Sequence, residues 1–275
     1  MPRLVPVEIG ETVHLDAIIK GKHVATRARL RLLKPTLDAR YTEYSGTTAA
    51  FEALAASTLV GTAIDDCVDC YNLDRKPVAA LKQAILDARP ANRRSLCQWC
   101  LIDTWSDLDH FVPKETFPEF SVMARNLAPC CSKCNKAKGD YWPPVGVVPE
   151  VLSLYYSSLL DRPYLAATVT HALGGSSAIQ FAIRRDVGLT AAEIVTLETH
   201  YSRLKLMPRL QDAGISALSR FRETLRAHGV QRANAVQFLS DEAVGLTTAF
   251  GANHYEALTA TALAAAPAAL DDYLA

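Results

Sequence analysis

In the second half of the chain, apolar residues recur mostly with a helical period. Thr190-Ala-Ala-Glu193 is a capping box, and it opens a helical pattern that runs to the end. Further helices are predicted over about 208–227, 233–250 and 253–274, with Gly229 placed to end the first of these. Ahead of them, Tyr164 to Ala172 and Ser177 to Arg185 alternate with period two around Leu-Gly-Gly-Ser, which predicts a β-hairpin. Pro149 suits the first turn of an apolar helix from Glu150 to Leu160.

The first half is less regular. Leu4, Val5 and Val7, broken by Pro2 and Pro6, suggest an irregular or edge segment within residues 1–20. Residues 20–40 carry seven basic side chains against one acid, Asp38. A strand period puts Arg27, Arg29 and Arg31 on one face and a helical period puts Arg27, Arg31 and Lys34 there; the helix is favoured, and Pro35 predicts its stop near Lys34. That stripe reads either as a phosphate-contacting face or as an ordinary solvated one. Thr47 or Thr48 can cap a helix through Val60 that Gly61 would end, and Pro77 suits the start of another reaching Ala88.

The formal net charge is zero, from 29 basic and 29 acidic residues, so a nucleic-acid partner would need a local basic face. No apolar signal segment is visible at the start, and the Ala-rich tract Ala260–Leu270 is too short to span a bilayer. These features point to a cytoplasmic protein away from membranes. They leave the oligomeric state open.

Cysteine spacing carries the chemistry. The run from Cys97 to Asp140 holds two Cys-x-x-Cys pairs, Cys97/Cys100 and Cys131/Cys134. Such tight turns can present four thiolates to one structural Zn²⁺, and a run of about 45 residues with few large apolar groups needs such a tie. Cys131, not Cys130, has the spacing to Cys134. Cys67 and Cys70 form a third pair with no second pair of their own, and read as buried thiols. His200, His228 and His254 lie on or beside helical patterns and read as packing or surface residues.

Between the metal pairs stand Asp109-His110 and Asn126-Leu127, and Asn135-x-x-Lys138-Gly139 follows the last cysteine. His110 is the sole histidine of the run, and an imidazole can accept a proton near neutral pH. On a regular strand Asp109 would face away from it, so both serve one site only if the strand ends there.

These elements together resemble the HNH (ββα-metal) endonuclease family, in a variant that ends in Asn, and stand-alone bacterial members in particular. The likeness covers about a sixth of the chain. It implies a mainly α protein carrying a small ββα-metal module, an α+β chain overall. Residues 1–94 would form an N-terminal helical region, 95–142 the nuclease module, and 143–275 a mainly helical C-terminal region with one hairpin. It also implies His110 as general base, Asp109 and Asn135 as ligands of a catalytic Mg²⁺ or Mn²⁺, and Asn126 as the residue that orients His110 through its ring or its loop. One departure stands out. Lys114-Glu-Thr-Phe-Pro follows His110 where the family often has a Gly-Gly stretch.

Arg125, Lys133, Lys136 and Lys138 are candidate phosphate contacts, in a stretch with seven basic and five acidic residues from Arg93 to Lys138. The implied activity is hydrolysis of DNA phosphodiester bonds, in prokaryotic defence against foreign DNA, with an ATPase as partner. A zinc module that binds nucleic acid or protein without catalysis, and a nuclease acting on RNA, are the competing readings.

Overall fold

The computed structural model describes residues 3–5, 7, 11–46, 51–72, 75–172 and 177–275. Among them the chain is mainly helical with two small antiparallel sheets, an α+β arrangement weighted to α. It divides into two compact units. One comprises Leu4–Trp99 and Asp103–Ser157. The other comprises Met1–Arg3, Cys100–Ile102 and Ser158–Ala275.

The first unit begins with α1 (Glu11–Lys20) and α2 (Val24–Gly46). Helix α1 is not anticipated by the irregular start, yet Leu15, Ile18 and Ile19 are buried at helical spacing. Helix α2 runs through Pro35 instead of stopping at Lys34. A proline inside a helix costs about 3 kcal/mol. Here Leu30, Leu37, Tyr41 and Tyr44 are all buried along one face on both sides of it. Each such side chain returns about 1.5–3 kcal/mol, so burial outweighs the break.

Of the stripe Arg27, Arg31 and Lys34, Lys34 is held in internal ion pairs, as are neighbouring basic residues outside the stripe. Arg29 pairs with Asp66, Lys34 with Asp16 and Asp38, and Arg40 with Glu43 and Glu119.

The helix expected up to Val60 does not form over residues 51–60, and its caps Thr47 and Thr48 lie outside the described residues. Residues Phe51–Ala53 make a single 3₁₀ turn. The backbone of Ala55 bonds instead to side chains of α2: its N–H to Glu43 at 3.2 Å, its C=O to Arg40 at 2.7 Å. Gly61, at φ 57°, precedes α3 (Thr62–Asp69) rather than ending a helix. Helix α4 (Lys76–Asp87) carries Pro77 in its first turn, as expected. The seven cysteines include no disulfide. Cys67 and Cys70 are buried, and burial pushes both thiols up to about 12.

The apolar helix expected from Glu150 to Leu160 is also absent; the region is irregular up to a 3₁₀ turn at Ser158–Asp161. Val151 to Tyr155 are buried in succession, which a helix with one solvent face cannot do. Their polar groups bond across the unit: the Leu154 C=O accepts from the Leu4 N–H at 2.8 Å, and the Tyr155 hydroxyl donates to the Leu127 C=O at 2.9 Å.

The second unit follows its sequence closely. The two alternating runs form an antiparallel pair over 165–171 and 177–183, with Leu165 opposite Ile183 and the turn outside the described residues. The capping box forms at α6 (Ala191–Arg203), which follows the short helix α5 (Ser132–Lys138) in chain order. Helix α7 (Leu206–Ala227) presses Gly214 onto the sheet, where an added Cβ would come within 2.8 Å of the Phe181 ring. After α8 (Arg232–Phe250), the single helix expected over 253–274 is two, α9 (Tyr255–Ala264) and α10 (Pro267–Leu274), because Pro267 starts a new one. Leu218, Leu225, Leu239, Leu263 and Leu270 meet in the core around Ile179.

His200 and His254 are buried in this unit, and burial lowers their pKa values from 6.5 to about 3 and about 4. Above 6.5 both are neutral whether folded or not, so they add no pH dependence there. Below 6.5 the unfolded chain takes up protons that the folded chain refuses, and stability falls. Denaturant unfolding is expected to show a loss of up to about 1.4 kcal/mol per pH unit for each group down to about pH 4, and His200→Gln should remove its share of that slope.

Candidate functional site

Two short strands frame the site. Strand β1 (Asp107–His110) pairs antiparallel with β2 (Leu127–Cys130), with His110 opposite Leu127 and Asp107 opposite Cys130. The chain passes directly from β2 into α5 (Ser132–Lys138), which ends at Gly139 with φ 64°. The order is strand, long loop, strand, helix, and the side chains singled out in the sequence cluster along it.

A cysteine knuckle sits ahead of β1. The Cys97 N–H bonds to the Asp103 C=O at 2.8 Å, Leu96 bridges Thr104, and Leu101 takes a left-handed φ of 54° to close the turn. A second knuckle is built where Cys131 caps α5 and Cys134 sits in its first turn. The sulfurs of Cys97, Cys100, Cys131 and Cys134 all lie within 4.8 Å of one another, and all four residues are buried. Zinc–thiolate bonds of about 2.3 Å put tetrahedral sulfurs about 3.8 Å apart, so this donor set can hold a metal such as zinc. Cys130 is buried outside that group, its thiol pushed up by burial.

The second focus is an open cleft of about 420 Å³ lined by Asp109, His110, Asn135, Lys138, Tyr71 and Lys114, among others. Strand β1 ends at His110, so adjacent residues that would face apart on a longer strand both reach this cleft. The His110 ring is buried, and its Nε2 lies 2.8 Å from the Ser121 carbonyl oxygen. A carbonyl only accepts, so Nε2 carries the proton and Nδ1 keeps the lone pair. Burial lowers the His110 pKa to about 4, with Lys114 and Lys138 adding to the shift, so the imidazole is neutral at about pH 7.

Asp109 is buried too, and burial lifts its carboxyl to about 6 even though Lys138 pulls the other way. Lys138 Nζ lies 3.3 Å from Asp109 Oδ1 and donates to the His110 C=O at 2.6 Å and the Gly139 C=O at 3.2 Å. It is therefore an interior counter-charge joining the end of α5 to the end of β1, not the outward phosphate contact its sequence position suggested. Asp109 Oδ2 is buried and takes no well-formed hydrogen bond, although the Trp99 indole also favours the ionised carboxylate.

Asn126 is fully buried and all its amide capacity is used. Oδ1 accepts from the Val112 N–H at 2.7 Å and the Tyr44 hydroxyl at 3.2 Å; Nδ2 donates to the carbonyls of Val112 at 2.9 Å and Phe120 at 3.2 Å. Of the two routes considered from sequence, ring or loop, its bonds go to the loop.

The remaining cations differ in setting. Arg125 is half-buried with Nη1 3.4 Å from the Tyr156 hydroxyl, Lys133 is exposed 3.4 Å from Asp103, and Lys136 is exposed. Sequence reasoning missed Tyr44 and Tyr71. Tyr44 lies on α2 and Tyr71 just after α3, both before the module, and no local spacing signals their arrival.

No family model matches the chain, and no solved structure matches it. Among curated proteins it is similar to the Septu protein PtuB of Bacillus thuringiensis, with 36% identity over 64 residues. That match spans 22% of this chain and 24% of the relative, about a quarter of the latter's length.

Two outcomes are expected. Cys131→Ala should lose the bound metal and several kcal/mol of stability, while Cys130→Ala keeps one metal ion per chain by elemental analysis. Asn126→Ala should cost about 3 kcal/mol or more in denaturant unfolding, because its partners stay buried without it.

Proposed function

We propose that the chain is a metal-dependent endonuclease of HNH type acting on DNA in prokaryotic defence. The observation that carries this reading is the setting of His110. Its ring is oriented by a backbone carbonyl, is neutral, and lines one cleft with Asp109 and Asn135, on a strand–strand–helix unit backed by four convergent sulfurs.

In this reading His110 Nδ1 takes the proton from an attacking water. The ring keeps its Nε2–H on Ser121 throughout, so the accepting nitrogen does not change. Asp109 and Asn135 would hold the catalytic Mg²⁺ or Mn²⁺. The under-bonded Asp109 Oδ2 and the oxygen character of both side chains fit a hard cation. Such an ion supplies charge stabilisation at the phosphate and the leaving oxygen. Lys138 keeps Asp109 ionised and the strand end fixed. Lys133 and Lys136, exposed beside the cleft helix, and Arg125 would engage the backbone of the nucleic acid. The likeness to a Septu protein supports the defence role, with an ATPase as the partner expected from the family resemblance.

A zinc module without catalysis would need the four sulfurs but not a neutral imidazole with one nitrogen kept free to accept. His110→Ala should lower plasmid cleavage by about 10²-fold or more at unchanged zinc content and melting temperature. Cleavage equal to the parent's would remove the assignment. Cleavage of RNA but not plasmid would move the substrate class and keep the chemistry.

A further inference from the structure

We infer that Tyr71, which lies outside the strand–strand–helix unit, is a positioning residue for His110: it clamps the imidazole against the Ser121 carbonyl. The inference rests on the nuclease reading above for its activity readout, and on geometry alone for the clamp.

Tyr71 follows α3, some forty residues before His110 in the chain. Its ring meets the imidazole edge-on, with centroids 4.4 Å apart and planes at 69°. Its hydroxyl donates to the Leu108 C=O at 2.7 Å, so the tyrosine is anchored on the strand that carries His110. Burial raises the Tyr71 pKa, which keeps the hydroxyl a donor across the working pH range.

The Ser121 carbonyl is gripped from the same helical region. Ser121 ends the turn Pro118–Phe120. Glu119 in that turn is 3% exposed and accepts from Arg40 Nε at 2.8 Å and from Ser57 Oγ at 2.7 Å. The Arg40 guanidinium also lies 5.3 Å from the centroid of the Phe120 ring.

An imidazole held by one hydrogen bond can turn about its Cβ–Cγ bond and exchange which nitrogen carries the proton. The tyrosine ring removes the space for that rotation. Its contribution is therefore to the geometry of proton acceptance, where a misplacement of about 1 Å can cost about 10²-fold.

The test uses the full chain with its metal bound, ¹⁵N-labelled at histidine, with the His110 signals assigned by their loss in His110→Asn. The parent should show a single Nε2–H tautomer at His110. Tyr71→Phe keeps the ring and should keep both that tautomer and cleavage within about threefold. Tyr71→Ala should mix the tautomers and lower kcat on plasmid DNA with Mn²⁺ by about tenfold or more, with KM changed less than about threefold. If Tyr71→Ala fails to fold, Tyr71→Leu, which fills the space without the aromatic edge, takes its place. Parent-like His110 signals in the alanine or leucine variant would overturn the clamp. A parent chain that cuts no nucleic acid sinks the nuclease reading instead, and the ¹⁵N spectra still decide the clamp.

Discussion

The loop between the two short strands has its shape because one buried amide satisfies four groups at once. Asn126 closes the backbone of Val112, reaches the Phe120 carbonyl and receives the Tyr44 hydroxyl. In a site without water each of those groups would otherwise carry its own desolvation penalty, about 1–3 kcal/mol. The Asn126 C=O also accepts from the Phe111 N–H at 2.8 Å. One residue thus fixes where β1 ends and where the turn carrying Ser121 lies. The orientation of His110 follows from those two positions. No other amino acid offers two donors and two acceptors in so short a side chain.

Among the described residues, the ion pairs of Arg40 with Glu119 and of Lys138 with Asp109 are buried inside the fold. The basic residues of α2 were candidates for a nucleic-acid face, but most meet carboxylates within the fold. Arg40 spends its guanidinium on Glu119, Glu43 and the Ala55 carbonyl, and so braces the turn beside the cleft. Lys138 does the same within the site by facing Asp109. Truncating one partner of such a buried pair leaves the other unpaired in a low-dielectric setting, so loss of either member is destabilising. Lys133 and Lys136 are exposed on the short helix that carries Asn135, and Lys133 lies 3.4 Å from Asp103.

The helices before the strand–strand–helix unit are part of its construction. Phe51 packs against Phe111, Tyr44 against Phe120, and Tyr71 against His110. The run from Cys97 to Asp140 holds five cysteines and buries large side chains of its own, among them Trp99, Phe111, Phe117 and Phe120. The surrounding aromatic groups extend that core, and the sulfurs of Cys97, Cys100, Cys131 and Cys134 converge beside it.

The local chemistry was legible in the residues alone. The x-x spacing of Cys97/Cys100 and Cys131/Cys134 foretold four convergent sulfurs because a tight turn leaves few directions for them to point. The capping box at Thr190, the hairpin runs, the helix start around Pro77 and Gly229's stop were readable for the same reason: each is decided within a few residues. The continuation of α2 through Pro35, the absence of a helix over 150–157 and the inward turn of Lys138 were decided elsewhere. In each case burial against distant residues outweighed local preference. The tertiary structure alone brought Tyr71 to His110 and Tyr44 to Asn126. Contacts between residues tens of positions apart leave no period in the sequence, because they depend on how the chain closes and not on what stands next to what.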